Sequence, residues 1–172
     1  MPDAFYEIAF TPSVLEAQEH YNGHATVPPA NVEPARLNTD EIAFIRERDS
    51  FYMATVSETG WPYIQHRGGP RGFLRVLDDQ TLAFADFRGN RQMLTVGNLA
   101  INDRVALFLM DYNRRERLKI LGHAKVVDAR TDEALARSLA MPGYPAKIER
   151  AFIIRVAATD WNCPQHIKPR VG

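Results

Sequence analysis

A single cysteine, Cys163, stands in the 172-residue chain. One thiol cannot close an internal disulfide or furnish a multi-cysteine metal site, and with no base beside it in the sequence it is expected to be an unreactive side chain. Net charge is also lacking: 21 Lys and Arg balance 21 Asp and Glu. No overall field therefore draws the chain to a polyanion, and nucleic acid is not an expected partner. Long apolar runs are missing too. Residues 105–110 are among the longest, far short of the ~20 residues of a membrane helix. The start Met1-Pro2-Asp3-Ala4 has no basic segment leading into an apolar core, unlike a secretory signal. The expectation is a cytoplasmic protein with no membrane partner. His20, His24 and His66 lack the spacing of a helical His-Glu-x-x-His motif, so no metal is expected either.

What is present is ordinary globular material, 45% hydrophobic, enough for one domain with a real core. Residues 1–37 read as an N-terminal arm. Within it, residues 13–21 suit a short helix with Ser13 as N-cap, and Pro28, Pro29 and Pro34 then forbid regular structure. Asn38 followed by Glu41 forms a capping-box pattern that opens a helix to about Arg48 and begins the main domain, residues 38–172. Strands dominate the rest. β-Branched and aromatic residues at 51–57 and 61–66 flank the turn Glu58-Thr59-Gly60. The same grammar recurs at 73–77 with 81–86, and at 104–110 with 117–127, and residues 151–158 supply a last strand. Helices are expected at 91–99 and 131–139. Seven or eight antiparallel strands with a few helices predict a mostly β fold, with a strand spacing typical of a β-barrel or a sandwich.

Candidate chemistry concentrates between Arg67 and Arg91. The segment Asp86-Phe87-Arg88-Gly89-Asn90-Arg91-Gln92 joins a strand to the expected helix, where first-turn amides favour an anion. Asn90 would cap that helix, Gly89 would allow close backbone approach, and Arg91 would fork onto a phosphate. Solvated charges on a short helix would look the same. A second basic element, Arg67, Arg71 and Arg75, surrounds Gly68-Gly69-Pro70 and Gly72. Strand alternation puts Phe73, Arg75 and Leu77 on one face, so Arg75 needs an anion: a ligand, or Asp78, Asp79 or Asp86. Arg117, Lys119, His123 and Lys125 share one face of a further strand, as a basic site or a solvated outer face.

In order, these elements resemble the FMN-binding split barrels of the pyridoxamine 5′-phosphate oxidase family. The resemblance rests on the Arg-containing strand, Phe84-Ala85-Asp86, Gly89-Asn90-Arg91-Gln92, the apolar strand 105–110, and Arg117 to Gly122 with His123 and Ala124. It implies a split β-barrel and FMN as cofactor. Arg71 or Arg75, with Phe73 and Leu74 on the same segment, would match the first phosphate-binding element, and Arg91-Gln92 the second, with Gln92 replacing the usual lysine. Ala85 and Asp86 would line the phosphoribityl chain, and Arg117 stands where the oxidases often carry a glutamine to the flavin ring. The resemblance also implies a homodimer with a cofactor site across each subunit interface, which Trp161, Gln165 and His166 would approach. His166 could equally bond within its own subunit. The oxidases end in an Arg-x-His pattern for substrate phosphate, absent from the tail Gln165-His166-Ile167-Lys168-Pro169-Arg170. The implied activity is thus a flavin-dependent oxidoreductase acting on another small molecule, for which no catalytic acid or base is assigned. The same barrel admits F420 or haem, a non-catalytic binder, or a cofactor-free regulatory dimer.

Overall fold

At Asn38 the capping box forms: the Glu41 amide donates to Asn38 Oδ1 and the Asn38 amide to Glu41 Oε2, each at 2.9 Å. These bonds satisfy two otherwise orphaned amides and start a helix over Thr39–Arg46 that buries Phe44 and Ile45. The computed structural model describes residues 3–161 and 165–170. Cys163 lies outside the described residues.

In chain order the elements are α1 (Asp3–Ala9), α2 (Pro12–Asn22), α3 (Thr39–Arg46), β1 (Ser50–Val56), β2 (Pro62–Gly68), β3 (Arg75–Asp78), β4 (Thr81–Phe87), α4 (Leu94–Ile101), β5 (Arg104–Asp111), β6 (Glu116–Asp128), α5 (Glu133–Ser138) and β7 (Ile148–Trp161). The three hairpins stand where turn and alternation signals put them, except that β3 begins at Arg75 rather than Phe73. Other expectations are corrected. Helix α1 was not foreseen, and α2 takes Thr11 rather than Ser13 as N-cap because Pro12 fits the first helical turn, where its missing N–H is no loss. Helix α4 starts at Leu94 rather than Arg91, after left-handed Arg91 (φ 60°) and Met93 (φ 59°). Strand β7 runs on to Trp161, which therefore belongs to the sheet rather than to a tail.

All seven strands form one antiparallel sheet in the order β2-β1-β5-β6-β7-β4-β3. In a flat sheet β1 and β4, four strand spacings apart, would be separated by roughly 19 Å. Instead Phe51 of β1 meets Phe84 of β4 edge to face with ring centroids 5.2 Å apart, and stacks on Phe73 at 5.5 Å. The sheet is thus curled into a barrel about one apolar core. Leu107, Leu118, Ile120, Phe152 and Ile154 contribute their inward side chains to it. Curling needs local relief, and at Leu121/Gly122 the β6–β7 register shifts by one residue. A Cβ on Gly122 would lie 2.5 Å from the Arg155 carbonyl oxygen, so the close approach of β7 requires glycine there. Ala157, the extra residue, turns its carbonyl to the Ala35 amide (2.9 Å) and ties the arm to the barrel.

Candidate functional site

At one end of the barrel three strands deliver charged side chains to one point. Asp86 and Arg150 are partners across β4 and β7. Asp86 Oδ2 accepts from Arg150 Nε at 2.8 Å, and Oδ1 accepts from Arg67 Nη1 of β2, also at 2.8 Å. Asp86 follows Leu82 and Phe84 on the inward face of β4, so the triad sits in the barrel mouth. Beneath it Phe84 and Phe152 stack at 4.8 Å, and the Arg67 guanidinium lies 5.1 Å from the Phe152 ring centroid. Burial draws the Arg67 pKa below that of a free guanidinium, although the Asp86 charge acts against the shift. Arg67 Nε is buried with no hydrogen-bond acceptor among the described residues.

The segment 89–95 arches over this triad and encloses with it a cavity of about 180 Å³, whose wall also takes Tyr63 and Gln65 from β2. Gln65 Oε1 accepts from Thr95 Oγ1 at 3.1 Å, joining β2 to the start of α4. Glu149 holds the outer arginines: Arg88 Nε donates to it at 3.0 Å and Arg91 Nη2 lies 3.5 Å away. Desolvation raises the Glu149 pKa, but the charges of Arg91, Arg88 and Arg150 outweigh it and leave a net lowering.

Of the residues singled out in the sequence, Asp86, Asn90, Arg91 and Gln92 line this cavity together. Asn90 does not cap α4; its Oδ1 accepts from the Gln92 amide at 3.2 Å within the loop. The basic strand residue at the cavity is Arg67, not Arg71 or Arg75. Arg71 is exposed in the loop before β3. Arg75 opens β3 opposite Ala83, and it pairs with none of Asp78, Asp79 and Asp86: Arg36 holds Asp79, and Arg67 with Arg150 holds Asp86. Phe73 and Leu74 are core side chains, and Ala85 is buried on the opposite face of β4 against Leu139 and Ala151. Polar residues at alternate inward positions of β2, Tyr63, Gln65 and Arg67, were the available signal. Arg150 carried none, because only pairing with Asp86 gives it meaning.

The remaining candidates lie elsewhere. Arg117 borders a hollow of about 600 Å³ on the outer face of β1, β5 and β6, with Phe5, Tyr52, Phe108, Met110 and Tyr112. Trp161 ends β7 and packs edge to face on Phe44 at 4.8 Å. Gln165 and His166 are exposed, while Arg170 stacks on Tyr112 with its guanidinium 3.8 Å from the ring centroid. Arg150 and Trp161 stand at opposite ends of β7, eleven residues or roughly 36 Å apart at strand rise. One copy therefore does not bring Trp161 to the arginine cavity.

Comparison with known proteins bears on the fold. The family model for pyridoxamine 5′-phosphate oxidase matches residues 39–162. Among solved structures, a pyridoxamine 5′-phosphate oxidase-type protein from Lactobacillus delbrueckii aligns with TM-score 0.57 at 19% identity, over 76% of this chain and 97% of its own. HupZ from Group A Streptococcus aligns with TM-score 0.55 at 16% identity, over 79% of this chain and 100% of its own. A protein related to general stress protein 26, of the pyridoxinephosphate oxidase family, from Clostridium acetobutylicum gives 0.53 and 15%, over 75% and 88%. No curated protein matches the chain. These structures share the overall fold, and with the family match spanning most of its length the chain belongs to the pyridoxamine 5′-phosphate oxidase family.

Proposed function

We propose that the protein binds FMN and serves as a flavin-dependent oxidoreductase for a small molecule, in a homodimer with a cofactor site at each subunit interface. The carrying observation is the buried Arg67 Nε, which lacks an acceptor among the described residues beside a cavity that Arg91 and Arg150 also line. A buried cationic donor is costly unless an anion meets it. Arg67, Arg88, Arg91 and Arg150 stand against Asp86 and Glu149, leaving a surplus of two positive charges, which suits a phosphate monoester. These residues fit the phosphate end of FMN, with Asn90 and Gln92 alongside. When bound, FMN supplies electron transfer at its ring system.

The chain's own contribution is to anchor, orient and exclude water. Asp86 holds Arg67 and Arg150 in place, and Glu149 steadies Arg88 and Arg91. A second copy is suggested by the outer face of the sheet. There Ile64, Ala54, Ala106 and Leu121 stand in one register row, beside Tyr52 and Phe108, forming an apolar face on the side away from the core. Covering it with a second copy would let Arg117, Trp161, Gln165 and His166 approach the partner's cavity. Arg117 stands where the oxidases often carry a glutamine to the flavin ring, and this position supports the reading.

The test is to incubate purified protein with FMN, pass it through gel filtration and record its absorbance. A retained band near ~450 nm, the oxidised-flavin signature, is expected, along with NAD(P)H-dependent bleaching if the bound flavin turns over. Protein that emerges colourless overturns tight FMN binding and transfers the same trial to F420 and haem.

A further inference from the structure

The charge of the chain is balanced only as a whole. Residues 3–35 carry Asp3, Glu7, Glu16, Glu19 and Glu33, and the first Lys or Arg is Arg36. With the whole chain neutral, residues 36–172 carry five cations in excess. The family match begins at residue 39 and leaves the arm outside it.

Both ends of the arm are tied to their own copy. Helix α1 packs on β7 with Phe5 under the Lys119 ammonium, the Glu7 carboxylate folds the arm on itself by accepting from the Asn31 and Val32 amides at 2.8 and 2.9 Å, and the Ala35 amide donates to the Ala157 carbonyl. Between these ties α2 buries none of its side chains, and Tyr21 at its end is 83% exposed. An isolated helix of 11 residues is marginal in water, so α2 needs a surface. It carries Glu16 and Glu19 and no Lys or Arg.

A surface of opposite sign lies on the outer face of the sheet. Arg104, His123 and Arg155 are aligned partners across β5, β6 and β7, and all three are exposed. Neither Arg104 nor Arg155 has an ion pair among the described residues, whereas His123 Nδ1 lies 2.9 Å from Asp103. Arg104 and Arg155 thus stand two strand spacings apart, roughly 10 Å, on one face with no ion pair to either, and two such cations favour an anionic partner. Arg104 and His123 share a hollow of about 600 Å³ with Ala54, Ala106 and Leu121 of the apolar face and with Ile8 of α1. Helix α2 therefore begins beside the face read above as the subunit interface.

We propose that α2 of one copy docks on the Arg104–His123–Arg155 row of a second copy, so that the acidic arm is a clasp across the dimer. This inference rests on the dimer reading. Charge complementarity and continuity with the apolar face select the second copy as occupant, since α2 forms no ion pair with the row of its own chain. Charges at the margin of an interface act chiefly through salt-sensitive attraction and partner register.

The test measures dimer dissociation of the full chain by sedimentation at low and high salt. Glu16→Lys with Glu19→Lys, and separately Arg104→Glu with Arg155→Glu, should each raise the dissociation constant about tenfold at low salt. The effect should shrink at high salt, and combining both reversals should restore the dimer. These positions are exposed, so the core is spared. A Glu19→Cys and Arg155→Cys pair in a Cys163→Ser background should cross-link between chains rather than within one. A parent dimer indifferent to both reversals, or an intrachain cross-link, overturns the clasp and leaves the dimer standing. A parent chain that is monomeric overturns both.

Discussion

Asp86 and Arg150 face one another across β4 and β7, and the same carboxylate reaches Arg67 on β2, the opposite edge strand of the sheet. One acidic side chain thereby joins two strands that the hydrogen-bonded ladder does not bring together. The triad is both a closure of the barrel and the floor of the candidate site.

Replacing Asp86 by Asn should therefore cost stability as well as binding. Two largely buried guanidinium groups would lose their counter-charge, and breaking such a pair costs roughly 3–5 kcal/mol. The lower end is expected because the cavity admits water. Urea unfolding of Asp86→Asn against the parent measures it, and a midpoint shift equivalent to less than ~1 kcal/mol, the level of a surface pair, would show that the triad is not a structural closure.

Arg91 is half exposed and, among the described residues, tethered only to Glu149, so its loss should spare the fold. Arg91→Ala should weaken FMN binding about tenfold or more, since a charge-assisted contact contributes ~1.5–3 kcal/mol. Riboflavin, which lacks the phosphate, should bind parent and variant alike. Fluorescence titration with both ligands checks this, and an equal loss for the two would remove Arg91 from the phosphate.

Gly122→Ala would drive a methyl group into the Arg155 carbonyl. Overpacking at such a point costs about 1–3 kcal/mol. Thermal unfolding should show the loss, and amide exchange should quicken along β6 and β7 beside the register shift. An unchanged melting temperature would mean that β7 can withdraw without penalty.

The acid limb of stability should carry a contribution from Asp128. Hydrogen bonds from the Arg130 side chain and amide lower its pKa to about 2. A carboxylate whose folded pKa is depressed stabilises the fold above its unfolded pKa, near 4, and loses that contribution as pH falls through the folded value. Asp128→Asn should therefore flatten the stability profile between about pH 4 and pH 2, the variant lying below the parent at neutral pH and meeting it near pH 2. A parent-like slope in that window would contradict the assignment.

Alternation and capping chemistry made much of the fold legible. Residues 51–57 and 61–66 carry their pairing in β-branched and aromatic patterning about a glycine turn, and Asn38 with Glu41 marks a helix start through contacts three residues apart. The start of α4 was not legible, because the left-handed turns at Arg91 and Met93 leave no compositional mark in residues 89–93. Helix α1 escaped notice for a similar reason: its contacts are made with β7, and Phe5 lies under the Lys119 ammonium at 4.5 Å.

For the site, the amino-acid sequence by itself determined the family, the barrel strands and the loop 89–92 with Asp86 beside it. Only the tertiary structure decided which arginines stand at the cavity. Arg67, Arg71 and Arg75 are equivalent as a local basic run, and strand alternation even favoured Arg75. The choice depends on curling, which carries β2 across to β4 and β7, and on the Asp86–Arg150 register between residues 64 positions apart. Local propensity acts over a few residues, whereas the pairing of distant charges is set by how the whole sheet closes on its core.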